Sequence, residues 1–151
     1  MPKQSIDRRE AYPFFLPIQM RWGDLDPFHH VNNVTYYRYF ELIVVTFLAE
    51  RAGLDLLDSP LRTFAAETRC LFTKALDFGR SGPAGSFLDG GFCVDHLGRT
   101  SVTYGLALFA PDDNEAAAQG HWTHVFVDRD TARPVPIPEA VRAVFVATRR
   151  R

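Results

Sequence analysis

Only two cysteines occur among the 151 residues, Cys70 and Cys93. Each lies in an apolar, strand-like run, without the spacing of a metal site or the density of a secreted disulfide scaffold. Both read as buried thiols of a reducing compartment, which makes the cytoplasm the expected location. No apolar run approaches the length of a membrane span, and the opening Met1-Pro-Lys-Gln-Ser-Ile-Asp7 lacks the basic-then-apolar order of a signal peptide. Neither sign of charge dominates: 17 basic and 18 acidic residues leave a net charge of −1. That balance gives no electrostatic footprint for nucleic acid or an anionic membrane. No serine sits in a Gly-x-Ser-x-Gly elbow, and Gly79 to Gly85 is not a phosphate-cradling loop between strand and helix. The adjacent His29 and His30 rarely reach one ion together, and no cysteine or third histidine follows at ligand spacing. His96, His121 and His124 are scattered over later segments, so zinc is the weakest reading of the imidazoles.

What is present is one domain's worth of chain, residues 1–151, with 46% apolar residues to build a core. Pro13 to Trp22 alternates as a short strand, and Gly23 to His30 breaks it with turn residues. From Val31 the period changes. Tyr36, Phe40, Ile43 and Phe47, flanked by Val44, Val45 and Leu48, form the stripe of a helix about five turns long that ends near Gly53. Asn32 or Asn33 is the natural N-cap. Beyond the loop Asp55 to Pro60 the pattern is antiparallel sheet. Arg62 to Ala75 alternates, with Phe64, Ala66, Thr68, Cys70 and Phe72 on one face. Phe87 to Asp95 and Thr100 to Ala110 form a hairpin about Leu97-Gly98-Arg99, where the glycine is available for positive φ. A last strand runs from Ala117 to Val127, and Pro134 to Pro138 leads into a short helix from Glu139. The glycine-rich segment 80–86 has no periodicity. One helix among five strands is best buried by wrapping the sheet around it. That predicts an α+β fold with one sheet face free for a second subunit to extend or back.

The polar groups concentrate in one place. Asp24, Asp26, His29, His30, Asn32 and Asn33 crowd the ten positions before the helix, where unpaired N–H groups and the positive dipole end gather. A carboxylate beside such donors is a minimal acyl-transfer site: the donors polarise a carbonyl while the carboxylate attacks it or deprotonates water. Asp-Pro and Gly-Asp are also common turn formers, so one aspartate can serve the loop while the other faces the site. Glu41 lies two turns deeper on nearly the same helical face and either touches the site or pairs with Arg38 or with a neighbouring strand.

Arg21-Trp-Gly-Asp-Leu-Asp26, His30-Val-Asn-Asn33 and Tyr36 with Tyr39-Phe-Glu41 resemble the signature of the 4-hydroxybenzoyl-CoA thioesterase-like acyl-CoA thioesterases of the hotdog fold. Leu97 to Ser101, Ala118-Gln-Gly120, Val125 to Asp128 and Pro136-Ile-Pro138 resemble later pieces of the same family, so the likeness spans about residues 16 to 147. It implies an antiparallel sheet wrapped around one long central helix. It also implies edge-to-edge pairing of two such sheets in a homodimer, often paired again into a homotetramer. Asp26 matches the family's catalytic carboxylate and Asp24 its less essential first acid. The backbone N–H of Asn33 corresponds most nearly to the oxyanion donor, and His30 and Tyr36 are the candidate substrate contacts. Two departures stand out: His29 where the family commonly has glycine, and residues 80 to 86, which look like an insertion. Arg62, Arg69, Lys74, Arg80 and Arg99 are available to coenzyme A phosphates.

The leading expectation is therefore hydrolysis of an acyl-CoA thioester to free acid and coenzyme A, with no metal and no cofactor required. A non-catalytic acyl-thioester binding module is the alternative. A dehydratase or hydratase would call for a different Asp and His constellation, which Val31 to Glu41 lacks.

Overall fold

The computed structural model of the protein describes residues 4–78, 82 and 85–151. Its elements are β1 (Phe14–Gln19), α1 (Asn33–Glu50), β2 (Leu61–Phe72), β3 (Phe87–Leu97), β4 (Ser101–Phe109), β5 (Ala118–Asp128) and α2 (Glu139–Ala147), with single 3-10 turns at Arg9–Ala11 and Trp22–Asp24. The five strands form one antiparallel sheet in the order β1-β3-β4-β5-β2. With the long α1 held in the concavity of that sheet, this is the hotdog fold.

The apolar stripe of α1 explains its seat. Tyr36, Phe40, Ile43, Val44, Phe47 and Leu48 are all buried, and each such side chain contributes roughly 1.5–3 kcal/mol. Phe47 stacks on Phe92 of β3 at 3.9 Å between ring centroids. Ile43 presses on Gly90, where an added Cβ would come 2.6 Å from its Cδ1, so glycine lets helix and sheet approach. The helix starts two residues later than the periodicity alone suggests. Asn32 is the N-cap, its Oδ1 accepting the Val34 N–H at 2.9 Å, and Asn33 is the first helical residue. At the other end Gly53 takes a left-handed φ of 66°, and the Leu54 N–H returns to the Leu48 carbonyl.

Several sequence expectations change. The first strand ends at Gln19, because the chain turns at Trp22–Asp24. β2 does not keep one alternating face: its register against β5 shifts between Ala65 and Glu67. Phe64 therefore pairs with Val125 while Phe72 pairs with Ala118, an odd separation that puts the two rings on opposite faces. Only Thr68, Cys70 and Phe72 of the proposed row share a face. At the β3–β4 hairpin Gly98 is not left-handed. It is held instead by a bond from its N–H to the Ser101 carbonyl, with Ser101 Oγ 3.0 Å from where a Cβ would be. The segment 80–86, read as an insertion, lies largely outside the described residues.

The outer face of the sheet is also not free over β3 and β4. Tyr12 is 2% exposed and packs on Phe109, Cys93, Ala107 and Ala116, lying on Gly91, where a Cβ would come 2.9 Å from its ring. Arg150 crosses the same face over Gly105, with its guanidinium on Asp95 at 2.6 and 3.1 Å and on Asp7 at 2.9 Å. The Tyr12 hydroxyl donates to Asp7 at 2.5 Å. The chain's own N-terminal strap thus backs this half of the sheet, leaving β2 and the β1 margin as its open edges.

Candidate active site

Between β1 and α1 the chain makes a compact loop. The Asp24 carbonyl accepts the Asn32 N–H at 2.8 Å, and Leu25 and Val31 form an antiparallel bridge. The Asp26 N–H reaches the His30 carbonyl at 2.9 Å, and the Val31 N–H reaches the Leu76 carbonyl at 2.8 Å. Residues 24 to 32 are therefore pinned on both sides and held against the first turn of the helix.

The two aspartates divide the work. Asp24 is 6% exposed. Its Oδ2 accepts the Arg21 N–H at 2.8 Å and the Tyr39 hydroxyl at 2.6 Å. Burial and this bond raise the Tyr39 phenol far above its ordinary value, so it remains a proton donor to a buried carboxylate. Asp24 is committed to holding the loop on α1. Asp26 is half-buried, and its Oδ1 accepts the Phe28 N–H at 2.9 Å. That Asx turn fixes the carboxylate while Oδ2 accepts no bond among the described residues.

Asn33, the first residue of α1, carries a backbone N–H without a partner among the described residues, whereas the next N–H, of Val34, is taken by the Asn32 cap. The free carboxylate oxygen of Asp26 and the unpaired N–H of Asn33 belong to one short stretch, seven residues apart in the sequence.

His29 sits at the tip in the left-handed region, φ 63°, with its N–H on the Asp26 carbonyl at 3.0 Å. This is a backbone geometry that favours glycine, which gives the departure at His29 a physical meaning. His30 is exposed and contributes its carbonyl to the loop. Tyr36 is 2% exposed and meets Phe72 edge-on at 4.9 Å. Burial raises its phenol, a backbone hydrogen bond at Leu76 opposes the rise, and the charges of Cys70 and Asp26 add to it. Asp26 and Tyr36 are thus within electrostatic reach of each other. Glu41 is exposed and makes no ion pair with Arg38 among the described residues. Tyr39 is the residue that sequence reasoning missed as a site component. Its spacing of three from Tyr36 put it on the loop side of the helix, which is the signal that could have found it.

A cavity of about 370 Å³ opens elsewhere, lined by Val45, Leu54, Leu57, Leu61, Thr63 and Phe126 at the C-terminal end of α1. Asp26 is not part of it. Among the described residues no group of three or more His, Cys, Asp and Glu side chains could hold a metal ion, and no helix is long and apolar enough to cross a membrane.

Residues 20–145 match the model of the thioesterase-like superfamily. The chain belongs to this superfamily. Among solved structures it is 39% identical to the PA5185 protein of Pseudomonas aeruginosa strain PAO1, with 97% of this chain and 98% of that one covered and a TM-score of 0.90. A thioesterase from Thermus thermophilus, crystallised with coenzyme A and Zn, is 27% identical over 92% of this chain and 96% of its own, with a TM-score of 0.74. A thioesterase superfamily protein from Jannaschia sp. CCS1 is 26% identical, covers 98% and 96%, and has a TM-score of 0.80. No curated protein matches the chain. Membership of the superfamily supports a thioesterase-type function.

Proposed function

We propose that this thioesterase-superfamily chain hydrolyses an acyl-CoA thioester to the free acid and coenzyme A. Asp26 acts as nucleophile or general base, and the Asn33 backbone N–H stabilises the oxyanion that develops on the thioester carbonyl. The observation that carries this reading is the division of labour in one loop. Asp24 is consumed by Tyr39 and Arg21, while Asp26 keeps an oxygen free and, seven residues on in the sequence, Asn33 opens the helix with an unpaired N–H. A thioester carbonyl is electrophilic enough for one carboxylate and oriented donors to act on it. If Asp26 attacks, a mixed anhydride forms as the thiolate leaves, and water then releases the acid. If it acts as base, water adds directly and the proton passes to the leaving thiolate.

His30, exposed in the loop, and Tyr36, buried against Phe72, are the proposed substrate contacts. The coenzyme A bound to the Thermus relative is consistent with a coenzyme A thioester as substrate. We assign the whole of 1–151 to one hotdog domain acting in the cytoplasm as a homodimer or homotetramer. The open edge of β2, with Phe64 and Phe72 50% and 42% exposed, supports that assembly. Release of free thiol from a panel of short, medium, long and aryl acyl-CoA esters, in the parent and in Asp26→Asn, tests the reaction. Saturable binding of acyl-CoA with no thiol released would favour a binding module instead.

A further inference from the structure

The cavity at the C-terminal end of α1 takes no part in the Asp26 site. Val45, Leu54, Leu61 and Phe126 give it apolar walls, and its volume of about 370 Å³ falls within the range of small-molecule sites. Its rim is apolar too. Leu56 and Leu57 line it and stand 41% and 80% exposed, in a loop fixed by Asp55 Oδ1, which accepts the N–H groups of Leu57 and Asp58, both at 2.9 Å. Large apolar side chains held at a cavity's edge suit an apolar guest. One group in the wall is out of keeping with the rest. Arg129, the residue after β5, lines the cavity, and its Nε is buried with no hydrogen-bond partner among the described residues. Of the five N–H donors of a guanidinium, Nη2 gives one to the Leu57 carbonyl, and no other side-chain hydrogen bond engages Arg129 among the described residues. A buried cationic donor without an acceptor is unfavourable, so that point calls for a compact anion. Asp55 is the carboxylate of the wall, set against two guanidiniums, Arg129 and the exposed Arg62. Its Oδ1 is already taken by the turn, and the balance of charge around it is positive.

We infer that this cavity is a binding site for a free medium-chain monocarboxylic acid, with the carboxylate on Arg129 and the hydrocarbon tail against Val45, Leu54, Leu61 and Phe126. The head group follows from the guanidinium, whose parallel N–H donors match the two oxygens of a carboxylate. The tail follows from the walls. Length follows from volume: at roughly 30 Å³ per heavy atom, the share of a water molecule in the liquid, the cavity holds about a dozen such atoms, the size of decanoate. A nucleotide or phosphate would leave the apolar walls unmatched, and a neutral lipid would leave Arg129 unmatched. The site is separate from the catalytic loop. Val45 lies twelve residues beyond Asn33 on α1, about 18 Å along the helix axis, and Asp26 is not among the lining residues. The inference therefore stands whether or not the chain hydrolyses a thioester.

Titration calorimetry of the full chain with decanoate and with 1-decanol, for the parent, Arg129→Gln, Val45→Phe and Asp26→Asn, tests the site. The parent is expected to bind one decanoate per chain. Arg129→Gln should weaken decanoate at least tenfold while changing decanol affinity less than twofold, which separates the head group from the tail. Val45→Phe, whose ring fills the cavity, should weaken both ligands at least tenfold, and it decides the location if Arg129→Gln does not fold. Asp26→Asn is expected to keep decanoate affinity within twofold. A parent that binds no decanoate, undiminished binding in Arg129→Gln or Val45→Phe, or binding lost in Asp26→Asn overturns the site. Decanoate binding that depends on Arg129 in a chain that releases no thiol from acyl-CoA overturns the hydrolase reading and leaves this site in place.

Discussion

The Tyr39 hydroxyl stands 2.6 Å from Oδ2 of Asp24, joining the second turn of α1 to a loop fifteen residues earlier in the chain. The donor is a neutral phenol and the acceptor a buried carboxylate, the kind of bond that is costly to break on one side only. Tyr39→Phe is expected to cost about 1–3 kcal/mol, read as a lower urea midpoint with unchanged slope. An unaltered midpoint would mean that the loop is held by its backbone bonds alone.

The two aspartates should fail differently. Asp26→Asn is expected to keep the melting temperature within a degree or two and to lose most thiol release, because Asn still accepts the Phe28 N–H but neither attacks nor takes a proton. Asp24→Asn should lower the melting temperature and retain residual turnover. Paired thermal melts and thiol assays on both variants decide it, and full turnover in Asp26→Asn would sink the assignment.

His29→Gly should raise stability by about 0.5–1 kcal/mol. It removes a Cβ from a left-handed position, and that gain outweighs the greater freedom of glycine in the unfolded chain. Chemical denaturation checks the sign, and a less stable variant would show that the His29 side chain holds the loop.

His124 on β5 is 7% exposed, its Nδ1 3.4 Å from the Tyr104 hydroxyl. Burial pushes its pKa down from 6.5 to about 4. The folded state therefore holds a neutral imidazole where the unfolded chain binds a proton. The stability this contributes is complete above pH 6.5 and is lost as pH falls toward 4, a total on the order of 3 kcal/mol. His124→Gln should flatten the fall of unfolding free energy between pH 6.5 and 4. An equally steep fall in that variant would assign the acid sensitivity to other groups.

What could be read from the residues follows from the range of the forces. The helix was legible because Tyr36, Phe40, Ile43 and Phe47 recur with the helical period, and the hairpin because two alternating runs flank a short turn. The loop's importance was legible from its crowd of polar groups. The split between Asp24 and Asp26 was not, since it depends on Tyr39 across a turn of helix and on a bond Asp26 makes two residues ahead. Nor was the slip at Ala66, which exists only relative to β5. The strap over the outer face was equally hidden, because its seat is made by Gly91 and Gly105, whose missing side chains matter only once Tyr12 and Arg150 lie on them.

That strap also sets an order of events. Asp7 and Arg150, joined at 2.9 Å, are 143 positions apart, so the clasp cannot close until every strand and α2 have been made. Until then Tyr12 can lie on the sheet but Asp7 and Asp95 wait for their counter-charge, and the nascent sheet keeps an open back. The back of the sheet is thus closed by Asp7 and Arg150 together, and only once all five strands are in place.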